Sequence, residues 1–220
     1  MVIKKSMLRA ARMLGNILLA PFFHLETSGI EHLPRKSAFV LLPKHQRWED
    51  IPILSLATPR PIYYIAKYEL FKNPLSRWFF TSLGGIPLNR ERPLESRGSL
   101  KTMVGLLREG EGVVVFPEGT YYKNKMGAGH VGVIRLILSH LSLPFIPVGI
   151  NYSGNVGRRI RVRVRFDIPF RADPATSPGM LLDRVMREIA RLSGFPEERR
   201  QVDDGGNNTV CQVLKKSLNE

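Results

Sequence analysis

The chain has 220 residues, of which 43% are hydrophobic, a combination that suits one domain with an ordinary core and excludes disorder over most of its length. Its formal net charge of +14 favours an anionic partner, which could be a nucleic acid, a lipid surface or a phosphorylated substrate. Cys211 is the single cysteine, so the sequence excludes an internal disulfide and favours a reducing compartment.

The first predicted element is an N-terminal helix over residues 3–20, with apolar residues near helical spacing and basic residues toward its amino end. It could pack on its own domain. We favour a helix lying on an anionic membrane, where each Lys or Arg is worth about 1 kcal/mol. No apolar run reaches the roughly 20 residues of a spanning helix, and no small-residue cleavage site marks a signal peptide. We therefore expect a peripheral or monotopic protein on the cytoplasmic face of the cell membrane.

Strands and helices alternate through the rest of the chain. Predicted strands cover residues 37–42, 62–65, 85–88, 113–116, 145–151 and 159–166, and predicted helices cover residues 50–56, 74–83, 94–108, about 129–141 and 178–192. Alternation and continuous apolar runs are typical of an α/β fold with a largely parallel sheet flanked by helices. We expect an interfacial helix at 1–23, one domain at 24–196 and a polar, flexible tail at 197–220.

The last predicted strand alternates strictly between arginine and apolar residues, which indicates a half-buried strand. Its arginines, which share one face, are Arg159, Arg161, Arg163 and Arg165. We favour a solvated edge strand whose charges oppose aggregation over a contact with anionic headgroups.

A histidine and an aspartate follow the first buried strand of this alternation. On one continuous helix, His45 and Asp50 would lie about 140° apart, so they meet only if His45 precedes a helix that begins near Asp50. Pro43 and the apolar pattern from Ile51 favour that arrangement. The carboxylate would then fix the tautomer of the imidazole and leave its second nitrogen to take a proton. Glu49 is an alternative partner.

Signatures of other chemistries are absent from the sequence or incomplete. The chain lacks G-x-S-x-G and G-x-x-x-x-G-K, so a histidine base would act on a hydroxyl of the substrate itself. Residues 127–132 match G-x-G-x-x-G, but a polar segment precedes them, and they predict a close turn at a helix start rather than a dinucleotide site. We expect no cofactor and no metal, because the spacing of the candidate ligands fits no zinc motif. Those ligands are His45, Glu49, Asp50 and His130.

Four patterns follow one another along the chain. His45 and Asp50 form H-x-x-x-x-D, and residues 85–90 read Gly-Ile-Pro-Leu-Asn-Arg. Residues 116–120 read Phe-Pro-Glu-Gly-Thr, and residues 144–148 read Pro-Phe-Ile-Pro-Val. In this order and spacing they resemble the four blocks of the glycerolipid acyltransferase family, typified by lysophosphatidic acid acyltransferase.

The resemblance covers roughly residues 28–152 and implies a reaction. A fatty acyl group would pass from a thioester of acyl carrier protein or coenzyme A to the hydroxyl of 1-acylglycerol 3-phosphate, giving phosphatidic acid. The resemblance implies that His45 is the general base, that Asp50 orients it, and that no covalent acyl-enzyme forms. The implied partners are an anionic membrane surface, the lysophospholipid acceptor and the thioester donor, and no nucleic acid.

The resemblance also assigns the substrate-binding residues. An arginine would bind the acceptor phosphate through two parallel hydrogen bonds, and the third block would shape the acceptor site, with its glutamate bonded to glycerol hydroxyls. These residues are Arg90, Glu118, Gly119 and Thr120.

Three positions depart from the family pattern. Lys44 stands where asparagine or serine often precedes the histidine, Arg47 stands at a common serine, and Tyr121 replaces a common arginine. Lys44 and Arg47 could hold a substrate phosphate, the phosphopantetheine of a carrier or only a surface anion. The alternatives are therefore an O-acyltransferase acting on another lysolipid or an amino-lipid, and a basic membrane-binding module without catalysis.

Overall fold

The computed structural model describes residues 5–89, 96–173 and 176–196, with the backbone alone for residues 5–8 and 11. The helices within these ranges are α1 (Lys5–Leu19), α2 (Asp50–Ala57), α3 (Pro74–Ser82), α4 (Arg97–Arg108), α5 (Gly132–His140) and α6 (Pro178–Ser193). The strands are β1 (Phe23–Ser28), β2 (Phe39–Pro43), β3 (Ile62–Lys67), β4 (Gly85–Leu88), β5 (Gly112–Val114), β6 (Phe145–Val156) and β7 (Arg159–Phe166).

The strands form one sheet in the order β1-β7-β6-β2-β5-β3-β4. Neighbouring strands from β6 to β4 are all parallel. β7 runs antiparallel to β6, and β1 runs parallel to β7. The prediction of an α/β fold with a largely parallel sheet is confirmed.

Helices cover both faces of the sheet, and this explains the continuous apolar run in β2. Val40 and Leu42 face a core cluster that includes residues of α4, α5 and α6. Phe39 and Leu41 face a second cluster with residues of α2, against which Leu19 of α1 and Phe80 of α3 pack. A central parallel strand that is buried on both sides needs apolar residues at every position rather than at alternate ones.

The sequence did not predict β1, and this omission made one other prediction wrong. β7 is not an edge strand, because β1 pairs with its outer side. Arg161 and Arg163 instead form ion pairs with Glu26 of β1, at 3.1 and 3.0 Å. The hydrogen bond from Arg163 and the charge of Arg161 lower the pKa of the Glu26 carboxyl.

Parts of the predicted organisation stay predictions. The proposed tail at 197–220 lies outside the described residues, and the boundaries at residues 23 and 196 are not tested. In the ranges that the structure describes, no helix combines the length and the apolar character that crossing a bilayer requires.

Candidate active site

His45 and Asp50 lie at the carboxyl end of the central strand β2. This strand ends at Pro43, and Asp50 is the first residue of α2, so His45 lies in the loop between them. The loop lets the two side chains meet, with His45 Nδ1 3.0 Å from Asp50 Oδ2. The predicted contact is confirmed, and the structure selects Asp50 rather than Glu49 as the partner of the imidazole.

Asp50 Oδ2 also accepts hydrogen bonds from the backbone N–H groups of Gln46, at 2.5 Å, and Arg47, at 2.8 Å. The Asp50 side chain is fully buried. The backbone N–H groups can only donate, so Asp50 Oδ2 acts as an acceptor at the centre of this loop. His45 Nδ1 therefore donates to Asp50, and Nε2 is left as the acceptor that can take a proton.

Aromatic rings hold the imidazole on two sides. The ring of Phe116 stacks on His45 with a centroid distance of 4.0 Å, and Tyr121 meets it edge-on at 5.7 Å. The His45 side chain keeps 12% of its surface exposed. The base is thus fixed in orientation and still reachable from solvent.

Lys44 is fully buried and does not face a surface anion. Its ammonium donates to both oxygens of Glu118, at 2.9 and 2.7 Å, and also to the carbonyl oxygens of His45 and Tyr122. Both side chains of the pair have 0% exposure. The hypothesis that Lys44 holds a substrate phosphate or a carrier group is therefore wrong, because the buried ammonium donates its hydrogen bonds to oxygens of the protein.

Glu118 accepts hydrogen bonds from both Lys44 and His45, the residues that follow β2. Besides Lys44, its carboxylate accepts from the backbone N–H of His45, at 3.0 Å, and from that of Gly127. Both oxygens of Glu118 thus have protein donors. Its predicted hydrogen bonds to glycerol hydroxyls stay a prediction.

The other predicted binding residues are placed as follows. Gly119 has a φ of 70°, a left-handed conformation that favours glycine, and the turn leaves Gly119 and Thr120 half-buried. Arg90 lies outside the described residues. The guanidinium of Arg47 lies over the ring of Tyr152, 4.5 Å from its centroid, and its contact with a substrate stays a prediction.

The close turn predicted for the glycine-rich segment 127–132 is not observed, because residues 126–131 form neither a turn nor a bend. α5 begins at Gly132, three residues after the predicted start. A Cβ on Gly127 would lie 2.1 Å from the Tyr122 ring, so a side chain at this position would displace that ring. Within the described residues, no group of three or more His, Cys, Asp or Glu is placed to hold a metal ion.

Tyr152 of β6 is a site residue that the sequence analysis missed. Its hydroxyl donates to Asp50 Oδ1 at 2.6 Å. The predicted strand ended at Asn151, one residue before Tyr152 and five before the end of β6 at Val156. Its apolar residues Val148 and Ile150 share the period of two that places Tyr152 on the same face.

Comparisons with known proteins agree with the motifs and the fold. A family model described as Acyltransferase matches residues 24–151, which is more than half of the chain. The 1-acyl-sn-glycerol-3-phosphate acyltransferase of Bacillus subtilis is 42% identical over 91 residues, covering 41% of this chain and 45% of the relative. A protein of the same name from Chlamydomonas reinhardtii is 34% identical over 189 residues, covering 81% and 55%.

Among solved structures, the 1-acyl-sn-glycerophosphate acyltransferase PlsC from Thermotoga maritima matches with a TM-score of 0.68 and 21% identity. The match covers 85% of this chain and 78% of that one, and it shows a shared fold. The chain spans about half the length of the curated relatives that it matches. On the family model and the ordered motifs, the chain belongs to the acyltransferase family.

Proposed function

We propose that the chain transfers a fatty acyl group from a thioester to the hydroxyl of 1-acylglycerol 3-phosphate and so forms phosphatidic acid. The observation that carries this proposal is the hydrogen bond between His45 and Asp50, in an H-x-x-x-x-D block of a chain that belongs to the acyltransferase family. The relatives named 1-acyl-sn-glycerol-3-phosphate acyltransferase support the choice of acceptor.

In the proposed mechanism, His45 Nε2 takes the proton of the acceptor hydroxyl. The oxygen attacks the carbonyl carbon of the thioester, a C–O bond forms, and the C–S bond breaks. The imidazolium returns its proton to the thiolate that leaves. Asp50 stabilises the imidazolium in between, and this is the task for which a buried carboxylate on Nδ1 is suited.

The donor and the acceptor each have alternatives. The donor is a thioester of coenzyme A or of acyl carrier protein, and both present a phosphopantetheine. Another lysolipid or an amino-lipid is the alternative acceptor, since Arg47 and Tyr121 depart from the family pattern beside the base.

Purified protein should form phosphatidic acid from lysophosphatidic acid in vesicles when either acyl-coenzyme A or acyl carrier protein thioester is added. Mass spectrometry of the lipid products reads the outcome. A panel of other lysolipids and an amino-lipid runs in parallel, and a His45→Ala preparation controls for contaminating enzymes. Product from another acceptor alone would replace the proposed acceptor, and no product from any acceptor would overturn the function.

The site of action in this proposal is the anionic, cytoplasmic surface of the membrane. The helices on one face of the sheet expose large apolar side chains, at least half exposed, which no other part of the described chain covers. These are Met13, Leu14, Ile17 and Leu18 of α1, and Leu75, Trp78 and Phe79 of α3. Basic residues, including exposed Arg9, Lys72 and Arg77, lie on the same two segments, and they would attract anionic lipid.

Vesicle sedimentation tests this membrane contact. Ile17→Ser combined with Leu18→Ser should weaken binding to anionic vesicles. Met180→Ser is the matched control, because Met180 is 65% exposed on α6, on the opposite face of the sheet. Equal binding by all three proteins would contradict a membrane role for α1.

A further inference from the structure

Tyr152 reaches the site from a strand that continues past its neighbour. The pairing of β2 with β6 ends at Pro43 and Val148, but β6 runs on to Val156 and pairs there with β7. Side chains alternate along a strand, so Tyr152 projects from the same face as Val148. It therefore stands beyond the end of β2, where the loop that carries His45 begins.

Two contacts hold the Tyr152 ring in one orientation. The guanidinium of Arg47 lies over its face, and the ring of Phe23 meets it edge-on at a centroid distance of 6.4 Å. Burial, followed by the charge of Asp50, raises the pKa of the Tyr152 hydroxyl. The hydroxyl is thus a protonated donor at neutral pH, and its direction is set by packing.

The donors around Asp50 divide between its two oxygens. Oδ2 accepts from the imidazole of His45 and from two backbone N–H groups, whereas Oδ1 accepts from Tyr152. Rotation about the Cβ–Cγ bond moves both oxygens, so a donor on either oxygen opposes it. The Tyr152 hydroxyl adds a restraint on the side away from His45, and the plane of the carboxylate sets the direction of the bond to Nδ1.

We propose that Tyr152 is a positioning residue of the active site, which locks the carboxylate of Asp50 and through it the imidazole of His45. This inference rests on the proposed acyl transfer for its kinetic test. Tyr152 does not touch the reacting atoms in this proposal. It acts through Asp50, so its contribution exists only while His45 works as the base.

Tyr152→Phe keeps the ring and removes the hydroxyl. We expect kcat to fall by about 10- to 100-fold, the range for a hydrogen bond to a charged group, while KM for both substrates stays the same. The protein should stay folded, with a melting temperature lowered by only a few degrees because a buried oxygen of Asp50 loses its donor. Tyr63→Phe is the matched control, because it removes the hydroxyl of a buried tyrosine near the amino end of β3, and it should leave kcat unchanged.

A double-mutant cycle separates positioning from general stabilisation. In a His45→Ala background, Tyr152→Phe should cause no further loss of residual activity, because the group that it orients is gone. An equal loss in both backgrounds would overturn the proposal, as would an unchanged kcat in the single variant of an active protein.

A spectroscopic readout keeps the test independent of turnover. In ¹⁵N-labelled protein, the Nδ1 proton of His45, assigned through its absence from His45→Ala, should shift in Tyr152→Phe and not in Tyr63→Phe. If the parent protein turns over no acceptor, the proposed function fails, but this shift still supports the positioning. A Nδ1 proton that does not move in Tyr152→Phe overturns it.

Discussion

Two fully buried carboxylates, Asp50 and Glu118, lie beside the same loop, and each accepts several hydrogen bonds from the protein. They differ in their principal partner. Asp50 binds the imidazole of His45, the proposed general base. Glu118 binds the ammonium of Lys44, whose side chain is fully enclosed.

This difference indicates that Asp50 serves the reaction, whereas Glu118 stabilises the fold of the same active site. The number of hydrogen bonds does not distinguish the two carboxylates. The exposure of the partner does, because His45 keeps 12% of its side chain exposed and Lys44 keeps none. We therefore expect changes around Asp50 to alter turnover first, and changes around Glu118 to alter folding stability first.

The largest expected effect is on catalysis. His45→Ala removes the base and should lower kcat by about 100- to 10,000-fold, the usual contribution of a positioned general base. Because His45 is not part of the fully buried core, the circular dichroism spectrum and the melting temperature should stay close to those of the parent. Retained turnover would remove His45 from the mechanism, whereas unfolding would mean that the Asp50 network is architectural too.

Glu118→Gln tests the other side of the comparison. The amide leaves the Lys44 ammonium buried without its counter-charge, and breaking a buried ion pair costs about 3–5 kcal/mol. Urea denaturation should show this loss of the free energy of unfolding. Glu188→Gln is the control, since Glu188 pairs with Arg191 on the surface at 2.7 Å, and an exposed pair is worth about 1 kcal/mol or less. Equal losses of the free energy of unfolding in the two variants would contradict a structural role for Glu118.

Lys44→Met combined with Glu118→Gln sharpens the same point. Replacing both members of a buried ion pair by hydrophobic residues of similar volume is often close to neutral for stability. Here the amide of Gln keeps one oxygen for the backbone donors that Glu118 accepts from. We expect the double variant to recover most of the loss of Glu118→Gln and to lie within about 2 kcal/mol of the parent protein. If the double variant loses as much free energy of unfolding as Lys44→Met and Glu118→Gln lose together, Lys44 and Glu118 are not coupled.

Much of the fold could be predicted from the sequence, because apolar residues in central strands and packed helices recur at regular spacings. The bounds predicted for β4 and β7 match the structure. β1 was missed because its sequence, Phe-His-Leu-Glu-Thr-Ser, contains no fully buried residue, so its pairing with β7 determines its structure more than its own pattern does.

In the active site, local spacing predicted the contact between His45 and Asp50, five residues apart. Local spacing could not predict the contacts that join distant segments of the chain. Glu118 lies 74 residues from Lys44, and Tyr152 lies 102 residues from Asp50. A lysine directly after a fully buried strand indicates a buried cation in need of a carboxylate. Only the sheet order shows which carboxylate meets it.

The smallest expected effect concerns the Asp50 network at alkaline pH. Burial and the Asp50 carboxylate raise the pKa of Tyr152 in the folded state, whereas a tyrosine in the unfolded chain titrates near pH 10. The folded state therefore keeps a proton that the unfolded state has lost. The resulting stability is present in full below about pH 10 and decreases as the pH rises further, by at most about 1.4 kcal/mol per pH unit for one group.

Tyr152→Phe removes this titrating group. The difference in the free energy of unfolding between the parent and Tyr152→Phe should be constant from pH 8 to 10 and shrink above about pH 10, as measured by urea denaturation. Contributions of other titrating residues cancel in the difference. Part of the rise in pKa comes from Asp50, so the same comparison in an Asp50→Asn background should show a smaller decrease. Parallel stability curves across this range would mean that the Tyr152 hydroxyl is not buried beside Asp50 in solution.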